Sequence, residues 1–310
     1  MSEAEGKPTN YIRFWGVRGS YPAPFQTHLG IGGNTACVEI RSGDSVLILD
    51  AGTGIIPLGN ALMEEPGISE LNIVLTHYHW DHISGLPFFV PAFATGRSIR
   101  FYGPGNDPED IRKSISHQMK APFFPVETEI WLASIDYLSP DKHEMEFGSM
   151  SVSTFNVHHP GSTYGYRIEL NGRTVVYASD NELAFIDQSI DRRKEEFDEG
   201  EKALLEAMRA EEKSRAIEFM QDVDVLIHDA QYTPEDYRAK RGWGHSCYVD
   251  TVNAAIDANV DSLYLFHLDP SYDDSVAADI HHSAMGIIDE RKAPLQCHVA
   301  REGEIISLDD

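Results

Sequence analysis

Short runs of apolar residues separated by glycine-rich breaks make up most of the first half of the chain. Such runs, bounded by turn residues, predict β-strands, and the turns Ser42-Gly43-Asp44 and Asn171-Gly172 predict that neighbouring strands pair directly. The strands are predicted at Tyr11–Trp15, Ala36–Arg41, Ser45–Asp50, Leu71–Thr76, Ile99–Tyr102, Met150–His158, Tyr164–Leu170, Arg173–Ala178, Val225–His228 and Ser262–His267. Helices are predicted at Ile55–Met63, Ile111–Lys120 and Val249–Asn259, with a further helix and strand near the C-terminus.

A charged segment from Ile190 to Met220 interrupts this alternation. It is rich in Glu, Lys, Arg and Ala, and its few apolar residues are scattered among the charges. That composition predicts a long solvated helix or a pair of helices. A surface insertion is the favoured interpretation, and a lid over an active site is the alternative. Because the chain shows no internal repeat and no linker rich in proline or serine, residues 1–310 are predicted to form one domain.

The seven residues Thr76–His82, which follow a predicted strand, concentrate side chains that bind metals. Side chains alternate along an extended chain, so His77 and His79 can point toward one ion. Asp81 and His82 then reach a second ion as the chain turns into a helix. Imidazole and carboxylate ligands suit zinc, manganese or iron. Three histidines and an aspartate at this density make a solvated polar loop the weaker interpretation.

The pattern His77-x-His79-x-Asp81-His82 resembles the signature of the metallo-β-lactamase superfamily. The resemblance implies an α/β fold, a four-layer αββα sandwich, with two divalent metal ions at one edge. Zn²⁺ is the first expectation, and Mn²⁺ or Fe²⁺ are the alternatives. It also implies later ligands at strand ends. The implied set is His77, His79 and His159 for one ion, Asp81, His82 and His267 for the other, and Asp180 as a bridge, with His158 left spare.

Two later segments, around Asp229 and around His245, resemble the branch of that superfamily that contains ribonuclease Z and bacterial cyclic phosphodiesterases. The resemblance implies that Asp229 orients His245, and that His245 stabilises the phosphorane or protonates the leaving oxygen. Asp81 is expected to take part in catalysis together with Asp229 and His245. Ribonuclease Z usually carries glutamate where this chain has Asp229. The shorter side chain leaves the distance to His245 open.

Three N-terminal segments rich in glycine, 16–20, 32–35 and 49–54, resemble the same branch. Glycines allow backbone N–H groups to approach an anion closely, although tight turns between strands are the favoured interpretation. Arg18 and Asn34 are predicted to contact the substrate. Asp50 is predicted either to hydrogen-bond the metal-binding loop or to be a buried structural residue.

The charge of the chain bears on the choice of substrate. Aspartate and glutamate number 50 against 25 lysines and arginines, which gives a formal net charge of −25. A protein that grips a nucleic-acid backbone normally presents a basic face, so nucleic acid is not the expected partner. A small phosphodiester is expected instead, with a 3′,5′-cyclic nucleotide favoured. The alternatives are a tRNA 3′-processing endonuclease and a non-catalytic metal-binding sensor. A lactamase or thioesterase would not require Asp229 and His245.

The cysteines and the apolar runs bear on location. The three cysteines are far apart and form no CxxC motif, so neither a disulfide framework nor a thiolate zinc site is predicted. No stretch approaches the ~18 consecutive apolar residues of a membrane span, and residues 1–10 carry no signal sequence. A cytoplasmic protein without a membrane partner is therefore expected. The family resemblance adds the expectation of a homodimer.

Overall fold

Two seven-stranded β-sheets pack face to face in the computed structural model, which describes residues 8–140, 145–185 and 197–309. The first sheet has the order β14-β1-β2-β3-β4-β5-β6 and the second the order β13-β12-β11-β10-β9-β8-β7. The first sheet contains β1 (Asn10–Gly16), β2 (Cys37–Ser42), β3 (Ser45–Leu49), β4 (Glu70–Val74), β5 (Ser98–Tyr102), β6 (Ser134–Leu138) and β14 (Ile305–Ser307). The second contains β7 (Met145–Phe147), β8 (Met150–Asn156), β9 (Tyr164–Leu170), β10 (Arg173–Ala178), β11 (Val225–Asp229), β12 (Ser262–Phe266) and β13 (Gln296–Val299).

Helices cover the outer faces of both sheets. They are α1 (Ile55–Met63), α2 (Trp80–Ile83), α3 (Pro108–His117), α4 (Glu199–Glu218), α5 (Pro234–Lys240), α6 (Tyr248–Asp257) and α7 (Asp274–Arg291). Buried residues of α1 and α3 share a core with the first sheet. Those of α6 and α7 share the larger core that also fills the space between the sheets. The predicted four-layer αββα sandwich is confirmed. Among the described helices, none has both the length and the apolar character required to cross a bilayer.

Strand β3 shows why the apolar runs are continuous. Leu47 and Leu49 face the core between the sheets, whereas Val46 and Ile48 face the core beneath α1. Successive side chains of a strand point to opposite faces, so a strand covered on both sides needs apolar residues at every position. The run in Ser45–Leu49 meets that requirement.

The predicted hairpin between β9 and β10 is confirmed. Asn171 and Gly172 have φ values of 52° and 77°, and Leu170 pairs with Arg173 across the turn. Two successive residues with positive φ form the mirror-image turn that matches the twist of paired strands. Asparagine and glycine adopt this conformation most readily.

Strand direction brings the loops of the second sheet to one rim. Strands β10, β11 and β12 are parallel neighbours, and β8 runs parallel to β10 because both pair antiparallel with β9. The residues after these four strands therefore emerge at the same edge. His159 follows β8, Asp180 follows β10, Asp229 ends β11 and His267 follows β12. In the first sheet, His77 lies shortly after β4.

The charged insertion is helical from Glu199 to Glu218, as α4. Asp198 caps its N-terminus by accepting hydrogen bonds from the backbone N–H groups of Gly200 and Glu201, and most of its described side chains are exposed. Its C-terminal part lies beside α6, where Ile217 and Asn253 line a shared groove. The predicted solvated helix is confirmed over this range, and the beginning of the predicted segment lies outside the described residues. The position of α4 beside α6 favours the surface insertion over the lid.

Candidate metal centre

A buried aspartate holds the loop that follows β4. Asp50 Oδ1 accepts hydrogen bonds from Thr76 N at 2.8 Å and Thr76 Oγ1 at 3.0 Å. Its Oδ2 accepts from Tyr177 Oη and from His82 Nδ1, each at 2.8 Å. Asp50 is fully buried and has a φ of 60°, a left-handed conformation that few non-glycine residues adopt. The structure thus shows both features predicted for Asp50, burial and hydrogen bonds to the loop that follows β4.

The seven predicted ligands lie together in two groups that share Asp180. Within each group one ligand atom per residue lies within 4.8 Å of every other. The groups are His77, His79, His159 and Asp180, and Asp81, His82, Asp180 and His267. Both sheets contribute, since the loop after β4 supplies four of the seven residues and the loops after β8, β10 and β12 supply the others.

The second group has the spacing of a coordination sphere. His82 Nε2 lies 3.1 Å from Asp180 Oδ1 and 3.2 Å from His267 Nε2. His267 Nε2 lies 3.2 Å from Asp81 Oδ2 and 3.4 Å from Asp180 Oδ1. Four ligand atoms about 2.1 Å from one ion in a tetrahedron are roughly 3.4 Å apart. The observed separations therefore leave room for a divalent ion at the centre.

The first group has similar spacing. His79 Nδ1 lies 3.0 Å from His159 Nε2. Asp180 Oδ2 lies 3.6 Å from His159 Nε2 and 3.7 Å from His77 Nε2. The two carboxylate oxygens of Asp180 thus face different groups, as a bridging ligand requires.

Hydrogen bonds on the outer side fix how three of the histidines face the centre. The Nδ1 atoms of His82, His267 and His159 lie 2.8, 3.2 and 2.8 Å from Asp50 Oδ2, Gln231 Oε1 and the Gly244 carbonyl oxygen. Each of these oxygens accepts, so each Nδ1 carries the proton and each Nε2 lone pair is directed inward. Converging lone pairs repel one another unless a cation lies between them.

Two buried atoms at the centre have no hydrogen-bond partner, His77 Nε2 and Asp180 Oδ1. An unpartnered buried polar atom costs about 1–3 kcal/mol. Coordination to divalent ions would satisfy both atoms. The donor set, without a thiolate, also suits such ions, so these residues fit a pair of divalent metal ions.

The charges of the centre lead to the same conclusion. Burial lowers the pKa of His82, but the carboxylates Asp180, Asp81 and Asp50 outweigh that effect and raise it well above its ordinary value. Burial and the neighbouring His82 hold the pKa of His77 well below its ordinary value. The carboxylates therefore favour positive charge at this point of the structure, which bound cations supply.

The predicted pair Asp229 and His245 lies beside this centre. His245 Nδ1 donates to Asp229 Oδ2 at 2.8 Å, which shows that the aspartate side chain is long enough. The imidazole ring of His245 stacks on that of His267, with centroids 5.2 Å apart, and lies 5.0 Å from that of His159. Burial lowers the pKa of His245 and raises that of Asp229. Backbone N–H donors of Asn181, Gln231 and Ser246 oppose the second shift by stabilising the carboxylate.

A buried glutamate that the sequence analysis did not single out holds the loop before His245. Glu182 Oε1 accepts hydrogen bonds from Tyr237 Oη at 2.9 Å and Gly242 N at 2.8 Å, and Oε2 accepts from Gly244 N at 3.0 Å. Gly244 has a φ of 91°, and a Cβ there would lie 2.4 Å from His159 Nδ1. Glu182 therefore positions the backbone that supports both His159 and His245. In the sequence, only its position two residues after the predicted ligand Asp180 indicated a place near the centre.

Two further polar residues were also missed. Ser20 N donates to Asp81 Oδ2 at 2.6 Å. Gln231 joins this contact to the second group, because its Nε2 donates to Ser20 Oγ at 3.0 Å and its Oε1 lies 3.2 Å from His267 Nδ1. These contacts orient a carboxylate and an imidazole of the centre.

The contacts of Arg18 and Asn34 argue against the substrate role predicted for them. Arg18 is fully buried, and its guanidinium donates to the carbonyl oxygens of Gly32 and Tyr272 at 2.8 and 2.7 Å. Asn34 Nδ2 donates to Glu302 Oε2 at 3.0 Å, and its backbone N–H donates to Oε1 of the same residue. Both side chains bind neighbouring loops of the protein, and these contacts support the fold.

Comparisons with known proteins agree with this geometry. Residues 46–268 match the family described as Beta-lactamase superfamily domain. A protein named ribonuclease Z from Sulfurisphaera tokodaii is 28% identical over 238 residues, which cover 69% of this chain and 76% of that protein. Among solved structures, the metallo-beta-lactamase fold protein YhfI from Bacillus subtilis has a TM-score of 0.66 at 18% identity, covering 97% and 99% of the two chains. Unliganded yeast PDE1 has a TM-score of 0.63 at 16% identity, covering 97% and 100%.

Proposed function

The chain belongs to the β-lactamase superfamily, and from this premise we propose that it hydrolyses a small phosphodiester, in the first instance a 3′,5′-cyclic nucleotide. Its relatives named ribonuclease Z and its clusters of histidine and aspartate support a metal-dependent phosphodiester hydrolase of this fold. The observation that carries the proposal is the hydrogen bond between His245 and Asp229 at the edge of the candidate metal centre. A proton donor held beside two cations suits a substrate whose leaving oxygen must be protonated.

The seven ligands would hold two divalent ions, with Zn²⁺ as the first expectation and Mn²⁺ or Fe²⁺ as alternatives. When bound, such ions stabilise charge on phosphoryl oxygens and lower the pKa of water to roughly 7. The carboxylates of Asp81 and Asp180 would supply the negative charge that balances these ions among the neutral imidazoles. Residues 1–310 are proposed to act as one metallo-hydrolase domain, because both sheets contribute ligands to the same centre.

His245 is proposed to act on the oxygen that leaves phosphorus. Its Nδ1 proton is committed to Asp229, so Nε2 is the nitrogen that can donate to the substrate. The carboxylate of Asp229 stabilises the protonated imidazole and fixes the orientation of the ring. Together the two residues either protonate the leaving oxygen or stabilise the charge of the phosphorane.

Glu182 is proposed to maintain the position of His245 through the loop 242–244. We expect Glu182→Gln to lower diesterase turnover by roughly 10- to 100-fold while both ions remain bound. In the native protein the two carboxylate oxygens of Glu182 accept hydrogen bonds from Gly242 N and Gly244 N. In the variant the glutamine NH₂ group replaces one of these oxygens and faces a backbone N–H group, so one hydrogen bond is lost. Turnover of bis-p-nitrophenyl phosphate and metal content by mass spectrometry provide the measurement.

Tyr237→Phe is the matched control for this prediction. It removes the hydroxyl donor to Glu182 and leaves the contacts with the backbone N–H groups of Gly242 and Gly244 in place. Its loss of turnover should therefore be much smaller. Equal turnover in Glu182→Gln and the wild type would contradict the positioning role.

The choice between a small diester and RNA rests on opposing observations. The net charge of −25 disfavours long-range attraction of a polyanion, and helix α4 carries six glutamates against four lysines and arginines. The relatives named ribonuclease Z favour RNA, so a tRNA 3′-processing endonuclease is the second candidate. The small diester is preferred because of the strongly negative net charge of the chain and the excess of glutamate in helix α4.

A substrate panel tests the proposed function. Protein loaded with metal is assayed with cyclic AMP, cyclic GMP, a 2′,3′-cyclic nucleotide, a pre-tRNA and bis-p-nitrophenyl phosphate. We expect the highest kcat/KM for a 3′,5′-cyclic nucleotide. Cleavage of the pre-tRNA without hydrolysis of any cyclic nucleotide would replace the proposal with the nuclease. Two bound ions without turnover of any substrate would favour the non-catalytic sensor.

A further inference from the structure

A cavity of about 200 Å³ lies beside the candidate metal centre. His159 borders it and also directs Nε2 toward His79 and Asp180, so the width of one imidazole ring separates the cavity from the candidate metal centre. The other walls come from residues 157–160, from Glu182 and Phe185 after β10, and from the loop 242–244. The cavity is smaller than the roughly 300–1,000 Å³ of pockets that enclose whole drug-sized ligands. It therefore suits one part of a substrate.

Two stacked aromatic rings line the cavity. The rings of His158 and Phe185 have centroids 5.2 Å apart and an interplanar angle of 13°. Phe185 is 45% exposed although it packs against another ring. The backbone of His158 is fixed, because its N–H donates to Asn181 Oδ1 at 3.0 Å and its carbonyl oxygen accepts from Glu182 N at 2.8 Å. The pair thus forms an aromatic surface next to the candidate metal centre.

From this arrangement we infer that the cavity binds the nucleobase of the substrate, stacked on the surface formed by His158 and Phe185. The inference rests on the proposed function, since it places the phosphodiester at the ions and its attached nucleoside across His159. A planar heterocycle is the part of a nucleotide that gains from an aromatic surface. A cyclic sugar phosphate without a base would leave the cavity empty.

The polar groups of the cavity predict weak discrimination between bases. Both carboxylate oxygens of Glu182 already accept hydrogen bonds from Tyr237 Oη and from the backbone N–H groups of Gly242 and Gly244. They are therefore committed to the protein, and stacking alone accepts any base. Purine and pyrimidine nucleotides should bind with similar affinities.

Two phosphodiesters with the same leaving group test the inference. Thymidine 5′-(p-nitrophenyl phosphate) carries a nucleoside, and methyl p-nitrophenyl phosphate does not. In the metal-loaded protein, Phe185→Ala should raise KM for the thymidine substrate by roughly 10-fold, because base stacking contributes about 1–3 kcal/mol. KM for the methyl ester should stay unchanged. Phe185→Tyr, which retains an aromatic ring, should have the same KM for the thymidine substrate as the wild type.

The control variant is Met63→Ala, which removes a side chain of similar exposure, 41%, at the end of α1. It should change neither KM. An equal effect of Phe185→Ala on the two esters, or no effect on either, would overturn the inference.

A binding measurement separates this inference from the proposed function. Calorimetric titration of metal-loaded protein with AMP and with inorganic phosphate requires no turnover, because neither compound contains a phosphodiester bond. We expect Phe185→Ala to weaken AMP binding by roughly 10-fold and to leave phosphate binding unchanged. If the wild type hydrolyses neither ester but shows this selective loss, the proposed function fails and the base site stands. If AMP binds both proteins equally, the base site fails whatever the enzyme hydrolyses.

Discussion

Asp180→Ala should lose both metal ions and diesterase activity together. Asp180 places one carboxylate oxygen 3.1 Å from His82 Nε2 and the other 3.6 Å from His159 Nε2, so one substitution removes a ligand from both groups. Mutation of a residue that only hydrogen-bonds to a metal ligand typically lowers metal affinity or activity by 10- to 100-fold. Removal of a shared ligand should therefore lower turnover by more than about 100-fold. Metal content by mass spectrometry and turnover of bis-p-nitrophenyl phosphate measure the two losses.

The matched control for this prediction is Asp224→Ala. Asp224 also accepts hydrogen bonds in the native structure, from Arg173 Nη1 and Thr174 N, but it precedes β11 and lies away from the rim that carries the ligands. It should keep both ions. Retention of two ions by Asp180→Ala would show that the residue does not bridge them.

The second large effect is expected at His245. His245→Ala should retain both ions and lower diesterase turnover by roughly 100- to 10,000-fold, the range of general acid–base catalysis. The imidazole stacks on His267 without belonging to either four-residue group, so its removal leaves the seven ligands in place. The same mass-spectrometric and turnover measurements apply.

His281→Ala serves as the control for His245. His281 lies on α7 and its Nε2 contacts the Cys297 carbonyl oxygen at 2.9 Å, so this imidazole contacts the backbone and lies outside both metal-binding groups. Its turnover should equal that of the wild type. Unchanged turnover in His245→Ala would remove this residue from the mechanism and favour a lactamase-like or thioesterase reaction.

The candidate metal centre was predictable because its seven side chains follow one another in a recognisable order along the chain. Four of them lie within the six residues His77–His82, a density that few structural loops show. The other three each follow a strand, and the carboxyl ends of parallel strands meet at one rim. The resemblance to a known family supplied their order. The structure added the distances and places the two carboxylate oxygens of Asp180 near different groups.

The supporting residues were not predictable in the same way. Glu182, Ser20 and Gln231 act through hydrogen bonds to residues between 36 and 211 positions away. No local spacing marks such contacts, and a single glutamate in a loop is usually solvated. Only the pairing of distant loops at the rim reveals what these side chains bind.

Arg18 shows how much a local pattern leaves open. An arginine between glycines resembles an anion-binding loop, because glycine allows close approach and guanidinium binds phosphate. In the structure the same glycine-rich segments bring backbone carbonyl groups together, and the guanidinium satisfies them. The sequence shows which groups are available, but it does not show which of them lie nearest.

Strand and helix predictions failed where the signal was short or depended on distant partners. Strand β14 has three residues and pairs with β1 at the other end of the chain. Strand β6 lies at the edge of its sheet, and its burial pattern is mixed. Helix α5 was overlooked although Thr233 caps it and Pro234 occupies its first turn, a recognised start signal.

The division of the ligands between the two sheets has a consequence for the folded chain. Bound ions would join side chains as far apart in sequence as His77 and His267, and so would cross-link both layers of the sandwich at one rim. A cross-link that closes a long loop removes much of the conformational freedom of the unfolded chain. Metal ions that bind only the folded state also increase the free energy of unfolding. Removal of divalent cations should therefore lower the free energy of unfolding and weaken the packing of the two sheets at the rim that carries the ligands.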